Sequence, residues 1–222
     1  MYQSLSKADT NVLKGIALLL LLFHHLFWKN NGLYVDITFA DHNLVQAIGE
    51  WSKLCVAIFV FLSGYGLTVQ AQKSSNPIKL KQFYWHRFSK LLLNYWFIWL
   101  VFVPIGIYVF DYSFSDAYGN HLFIKFLLDF FGIISAFGIY GYNATCWFYS
   151  CIILLYLLFP FLYRAYKVNS FLAVLIVLVG TFLPIPLFII ARNYLPSFLL
   201  GIVYCCCSSR YVVIGGINAI AL

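Results

Sequence analysis

Lys14-Gly15-Ile16-Ala17-Leu18-Leu19-Leu20-Leu21-Leu22-Phe23-His24-His25 decides how this chain folds. From Gly15 to Phe23 the run has no polar side chain, and ionisable groups stand at both ends. On an α-helix, eleven residues turn through about three full turns and rise about 16 Å. Lys14 and His25 therefore share one helix face, the cation near one membrane surface and the imidazole at depth. His24 points about 100° away from His25. Ionisable residues on an apolar helix are expensive in lipid, which makes this face a functional-site candidate.

Working outward, the composition agrees with a membrane setting. The chain is 63% hydrophobic and 9% charged, with 23 Phe and 17 Tyr, and its mean hydropathy is +0.87. Soluble domains carry about 25% charged residues, so a water-facing surface cannot be built here. The fold class expected is an all-α integral membrane protein, a polytopic helical bundle. Net charge is +7, yet the basic residues lie mostly between apolar stretches, as the positive-inside rule requires, and no nucleic-acid partner is expected. Lys7 and Lys14 precede an apolar run as in a signal peptide, but no small-residue cleavage site follows. The six Cys have no zinc or redox spacing, so no metal is expected. They read as small apolar fillers, with an acyl acceptor as the alternative reading of Cys205-Cys206-Cys207.

Candidate spans are about 11–28, 51–71, 91–110, 146–163, 170–190 and 195–208, and a last one opens at Tyr211 and stops without a polar flank. The bundle then holds about six to seven spans. The loop after the second span carries Lys73, Lys79, Lys81, Arg87 and Lys90 without an acid, which assigns it and the N-terminus to the cytosol. With Lys7, Lys14, Arg164, Lys167 and Arg210, ten of the fourteen basic residues lie inside, against one acid, Asp9. Asp36, Asp41, Glu50, Asp111 and Asp116 fall outside. A crossing by residues 122–139 would reverse Arg164 and Lys167, so that segment reads as an amphipathic or re-entrant helix, with Lys125 and Asp129 able to pair across one turn. Trp28 and Trp51 mark the outer boundary and Trp85 the inner one.

Four constellations can carry chemistry. His25, in its neutral form, is a general-base candidate; its plain alternative is an interfacial His packed on aromatic rings. Ser63-Gly64-Tyr65-Gly66 permits close helix approach, with the Ser63 hydroxyl bonded one turn back or lining a polar cavity. Phe83 to Lys90 holds Arg87 and Lys90, either snorkelling cations or a phosphate-binding rim. Arg192 stands on the side otherwise poor in cations, and Trp147 opens a span within an aromatic belt. No Gly-rich phosphate loop or Ser-His-Asp arrangement is present.

Taken in order, these pieces resemble the acyltransferase-3 family of multi-span membrane acyltransferases. The first span of that family carries an Arg, ten residues, then His, and Lys14 to His25 is similar. Val56 to Leu67 (VAIFVFLSGYGL) resembles its second-span signature, and Phe83 to Lys90 its basic segment before the third span. Trp147 to Pro160 (WFYSCIILLYLLFP) and Arg192 to Gly201 resemble two later stretches. Lys14 replaces an Arg, keeping the charge and losing the bidentate fork, and Ala57 stands at a position often polar in relatives. The family fold has about ten spans, so residues 1–222 read as one transmembrane acyltransferase domain comprising its N-terminal two-thirds.

The resemblance implies transfer of an acyl group, often acetyl, from cytosolic acyl-CoA to a hydroxyl of a cell-envelope glycan or lipid-linked sugar. The enzyme would be an O-acyltransferase of the plasma membrane, with no bound cofactor and acyl-CoA as co-substrate. It implies His25 as base or acyl relay. Lys14, Arg87, Lys90, Ser63 and Tyr65 would serve the donor, and His24, Trp147 and Arg192 would stand on the acceptor side or in support. A polytopic transporter and an inactive fragment are the competing readings.

Overall fold

The computed structural model describes residues 4–30, 32, 34–39, 42–73, 78–183 and 189–220, without the side chains of 42 and 209–220. The elements run α1 (Lys7–Phe27), β1 (Thr38–Phe39), β2 (His42–Asn43), α2 (Leu44–Trp51), α3 (Leu54–Lys73) and α4 (Leu80–Phe110). They continue through α5 (Phe114–Tyr118), α6 (Leu122–Phe130), α7 (Trp147–Val168), α8 (Ser170–Phe182), α9 (Ile189–Arg192) and α10 (Leu195–Ile220), with 3-10 turns at Ile134–Phe137 and Ala144–Cys146. Among the described residues 81% are helical, and the strands are one antiparallel pair of two residues each. The all-α membrane class follows.

Among the described residues four helical stretches are long and apolar enough to cross a bilayer: Lys7–Phe27, Leu44–Lys73, Leu80–Phe110 and Ala144–Val168. The shortest, 21 residues, is about 31 Å long, close to the hydrocarbon thickness of about 30 Å. Other stretches differ from the sequence reading. The span expected at 170–190 holds α8 through Phe182 and the start of α9 at Ile189, and residues 184–188 between them lie outside the described ones. The two spans expected at 195–208 and from Tyr211 form the single helix α10, since Ser208-Ser209-Arg210 lacks a Gly or Pro to break it. The third span begins earlier than expected, because Leu80 to Lys90 is already helical. Residues 122–139 contain only the nine-residue α6 and a 3-10 turn, too short to cross.

The chain divides into two compact units, Met1–Gln70 with Ser197–Leu222, and Ala71–Pro196. In the first, α1 opens on a capping box: Ser6 Oγ accepts from Asp9 N at 3.1 Å, and Asp9 Oδ2 accepts from Ser6 N at 2.8 Å. The Asp36 carboxylate accepts the amides of Val45 (2.8 Å) and Gln46 (3.1 Å), filling the donors exposed at the start of α2. Helices α3 and α10 meet backbone to backbone. A Cβ added at Gly64 would strike the Phe198 carbonyl, and one at Gly201 would strike the Phe61 carbonyl and lie 2.8 Å from Tyr65 N. This is the close approach that small residues allow in a membrane. In the same unit Cys55, Cys205 and Cys206 are buried, and Cys55 Sγ donates to Lys53 O at 3.8 Å.

In the second unit, Tyr84 donates to Leu157 O (3.0 Å) and Phe83 stacks on Phe159 (5.6 Å), joining α4 to α7. Past α4, the backbone turns through left-handed conformations at Asp111 and His121, which set off α5 and α6. Val103, Tyr118, Ile134 and Tyr142 form a buried core there, with Trp99, Phe114 and Phe126 packed around it.

Candidate functional site

Helix geometry places the first-unit candidates. Ala17 is the buried residue of α1. His24 follows it by seven residues, two turns on, and so lies on the same side of the helix. The His24 ring accordingly packs inward, with Nδ1 2.8 Å from the Gly49 carbonyl oxygen, and its ring centre lies 5.8 Å from that of Trp28. Lys14 and His25 lie to one side of Ala17 and are both exposed. His25 is 5.5 Å from His24 between ring centres. The structure thus separates two adjacent imidazoles: one is held by a backbone carbonyl, and the other faces outward with Lys14.

The two second-span candidates have partners within their own unit. Ser63 Oγ donates to Phe59 O (2.9 Å), the one-turn-back alternative. Tyr65 is buried and donates to Leu5 O at 3.0 Å, fastening the segment that precedes α1. Tyr204 lies against the Tyr65 ring, 6.1 Å away.

The second unit holds Arg87, Lys90, Trp147 and Arg192. Arg87 is half-buried on α4 near Tyr156 and Lys90 is exposed one turn further on. The two cations therefore stand on a rigid helix rather than in the loop that the sequence suggested. Trp147 stacks on Tyr194 at 5.9 Å, so two motifs 47 residues apart in sequence meet. Arg192, at the end of α9, is half-buried, and its carbonyl accepts from Thr181 Oγ1 at 3.5 Å.

One polar centre was not visible in the sequence reading. Asp129 is 1% exposed. Its carboxylate accepts from Tyr95 Oη (2.8 Å), Tyr118 Oη (2.6 Å) and Tyr142 N (2.8 Å). A Cβ at Gly141 would strike that carboxylate, so the closing loop passes it without a side chain. Lys125, the partner expected for Asp129, instead donates to Tyr118 O at 2.6 Å. A buried carboxylate is better satisfied by converging hydroxyls and an amide than by one flexible ammonium. Burial, and next the Asp129 carboxylate, push the Tyr118 hydroxyl well above the usual tyrosine range. At the neighbouring exposed turn, hydrogen bonds from Ser113 hold the Asp116 carboxyl below its ordinary value. The signal that could have revealed Asp129 was its isolation, an acid between Leu128 and Phe130.

Among the described residues no group of three or more His, Cys, Asp or Glu side chains is disposed to hold a metal ion. Neither a curated protein nor a solved structure matches the chain. A family model does, that of the acyltransferase domain of acyltransferase-3 proteins, over residues 8–217. With membrane-length helices, an exposed Lys14–His25 face on α1 and that match over nearly its whole length, the chain belongs to the acyltransferase-3 family of membrane acyltransferases.

Proposed function

We propose that this membrane acyltransferase moves an acetyl group from cytosolic acetyl-CoA to a hydroxyl of a cell-envelope glycan or lipid-linked sugar, as an O-acyltransferase of the plasma membrane with its N-terminus in the cytosol. The observation that carries the reading is the exposure of Lys14 and His25 on one face of α1 while His24 turns inward. The His25 imidazole takes the proton of the attacking hydroxyl, and the oxygen forms a bond to the thioester carbonyl carbon. The carbon–sulfur bond then breaks, and the imidazolium returns its proton to the leaving thiolate. Lys14 meets the phosphates of the donor as a point charge. Arg87 and Lys90, on the second unit, are assigned to the same class of anion.

Tyr65 supports donor use by holding the segment before α1 through Leu5, and Ser63 by shaping the α3 helix beside it. Trp147 and Arg192 are assigned to the acceptor, Trp147 because a sugar face stacks on an indole platform already backed by Tyr194. The experiment is acetylation of envelope glycan in cells carrying the gene, compared with His25→Ala at equal membrane abundance. Loss of glycan acetylation is expected. Retained acetylation would remove His25 from the reaction.

A further inference from the structure

His24 and His25 are neighbours in the chain with different surroundings in the fold. A carbonyl oxygen only accepts, so the contact from His24 Nδ1 to Gly49 O at 2.8 Å fixes the hydrogen on Nδ1 and with it the orientation of the ring. Gly49 is buried, and a Cβ there would lie 2.7 Å from the Phe27 carbonyl carbon and 2.9 Å from Trp28 N. The two backbones therefore touch at this point. Tyr34 adds a third tie, donating to Phe27 O at 2.9 Å. All three contacts fall on the last turn of α1, the turn that carries His25. Along the preceding turns only Ala17 is fully buried; Leu13, Leu20, Leu21 and Phe23 are half-buried, and Leu18, Leu19 and Leu22 are exposed. Packing of apolar side chains is thus a weak constraint on how α1 is rotated. A rotation by one residue, about 100°, would break the His24–Gly49 bond and carry His25 off its face.

We propose that His24 is a positioning residue for His25: its hydrogen bond to Gly49 locks the rotation of α1 against α2 and so fixes the direction in which the His25 imidazole points. The inference rests on the reading of His25 as the acyl-transfer base. It assigns His24 a role in the rate of the chemical step and none in holding the donor.

The test uses the whole chain in membrane vesicles, with radiolabelled acetyl-CoA as probe and the vesicle glycan as acceptor. His24→Phe keeps a ring and loses the donor; His24→Asn keeps an N–H close to the position of Nδ1. The expected result is a kcat lowered roughly 10- to 100-fold by His24→Phe, the scale of a misplaced catalytic group, with the KM for acetyl-CoA unchanged. His24→Asn should recover most of the rate, and Gly49→Ala should repeat the loss. A second readout needs no turnover. In His25→Cys protein, the rate of thiol modification by a maleimide should change several-fold on adding His24→Phe and return with His24→Asn. A wild-type kcat and thiol reactivity in His24→Phe would overturn the proposal, as would equal impairment of the Phe and Asn variants. Loss of both variants from the membrane would assign His24 to stability instead. If His25→Ala retains transfer, the base reading itself fails; if His25→Ala is inactive while His24→Phe is fully active, only the positioning role fails.

Discussion

At the scale of single residues, charge and hydrogen bonding separate groups that the sequence sets side by side. Lys14 is assigned to the donor, so Lys14→Ala should raise the KM for acetyl-CoA about tenfold or less, the loss of one charge-assisted contact, with a smaller effect on kcat. Steady-state kinetics in vesicles checks this, and an unaltered KM would remove Lys14 from donor binding. Tyr118 gives a pH prediction. Its hydroxyl titrates above the unfolded value of about 10, because it is buried and faces Asp129. A raised value means that the native state holds the proton more tightly. Its stabilisation is therefore complete below about pH 10 and lost as pH rises through the folded value. Thermal unfolding in detergent should show a steeper alkaline loss of stability for the wild type than for Tyr118→Phe.

At the scale of elements, two contacts set the outcome of substitution. Replacing Gly201 with Leu forces a side chain into the Phe61 carbonyl and the Tyr65 amide, so α3 and α10 must part. Overpacking of this kind costs typically about 1–3 kcal/mol, and more against backbone. The expected result is reduced abundance in the membrane and a lower melting temperature. Asp129→Ala leaves the Tyr118 hydroxyl and the Tyr142 amide without their acceptor in a buried site, whereas the Tyr95 hydroxyl keeps the Asp129 backbone carbonyl, 2.7 Å away. At about 1–3 kcal/mol per stranded group, the loss should be roughly 2 kcal/mol or more, measured by unfolding in detergent. Asp129→Asn should recover part of it, since one carboxamide oxygen still accepts.

At the scale of the whole molecule, the proposed orientation, with the N-terminus in the cytosol, puts residues 111–146 outside. Cysteines placed at Gly119 and Tyr140, both exposed, should react with a membrane-impermeant maleimide added to intact cells. Reaction at one site only would show that the intervening segment crosses. Much of this architecture was legible because lipid permits few solutions: the α1 run, the Ser63-Gly64 approach and the short α6 follow from apolar length and small residues. The join of two expected spans into α10 was not, because Ser208-Ser209-Arg210 reads as a polar break although nothing in it stops a helix. The Asp129 centre escaped because Tyr95, Tyr118 and Tyr142 converge only once the chain has turned at Asp111 and His121. The inward turn of His24 needed the position of Ala17 as a reference, and in the sequence that residue is one more apolar letter in a run.

The sparse burial of α1 ties the enzyme to its solvent. This helix is fastened near its two ends, through Leu5 and through Gly49, and Leu18, Leu19 and Leu22 between them are exposed. Lys14 and His25 are then held at depths that the hydrocarbon thickness sets. In bilayers a few ångströms thinner or thicker, a helix adapts by tilting or by deforming the lipid around it. Reconstitution in phosphatidylcholines of increasing chain length should therefore give an activity optimum near the thickness that α1 matches, with the rate falling on either side while the protein stays folded.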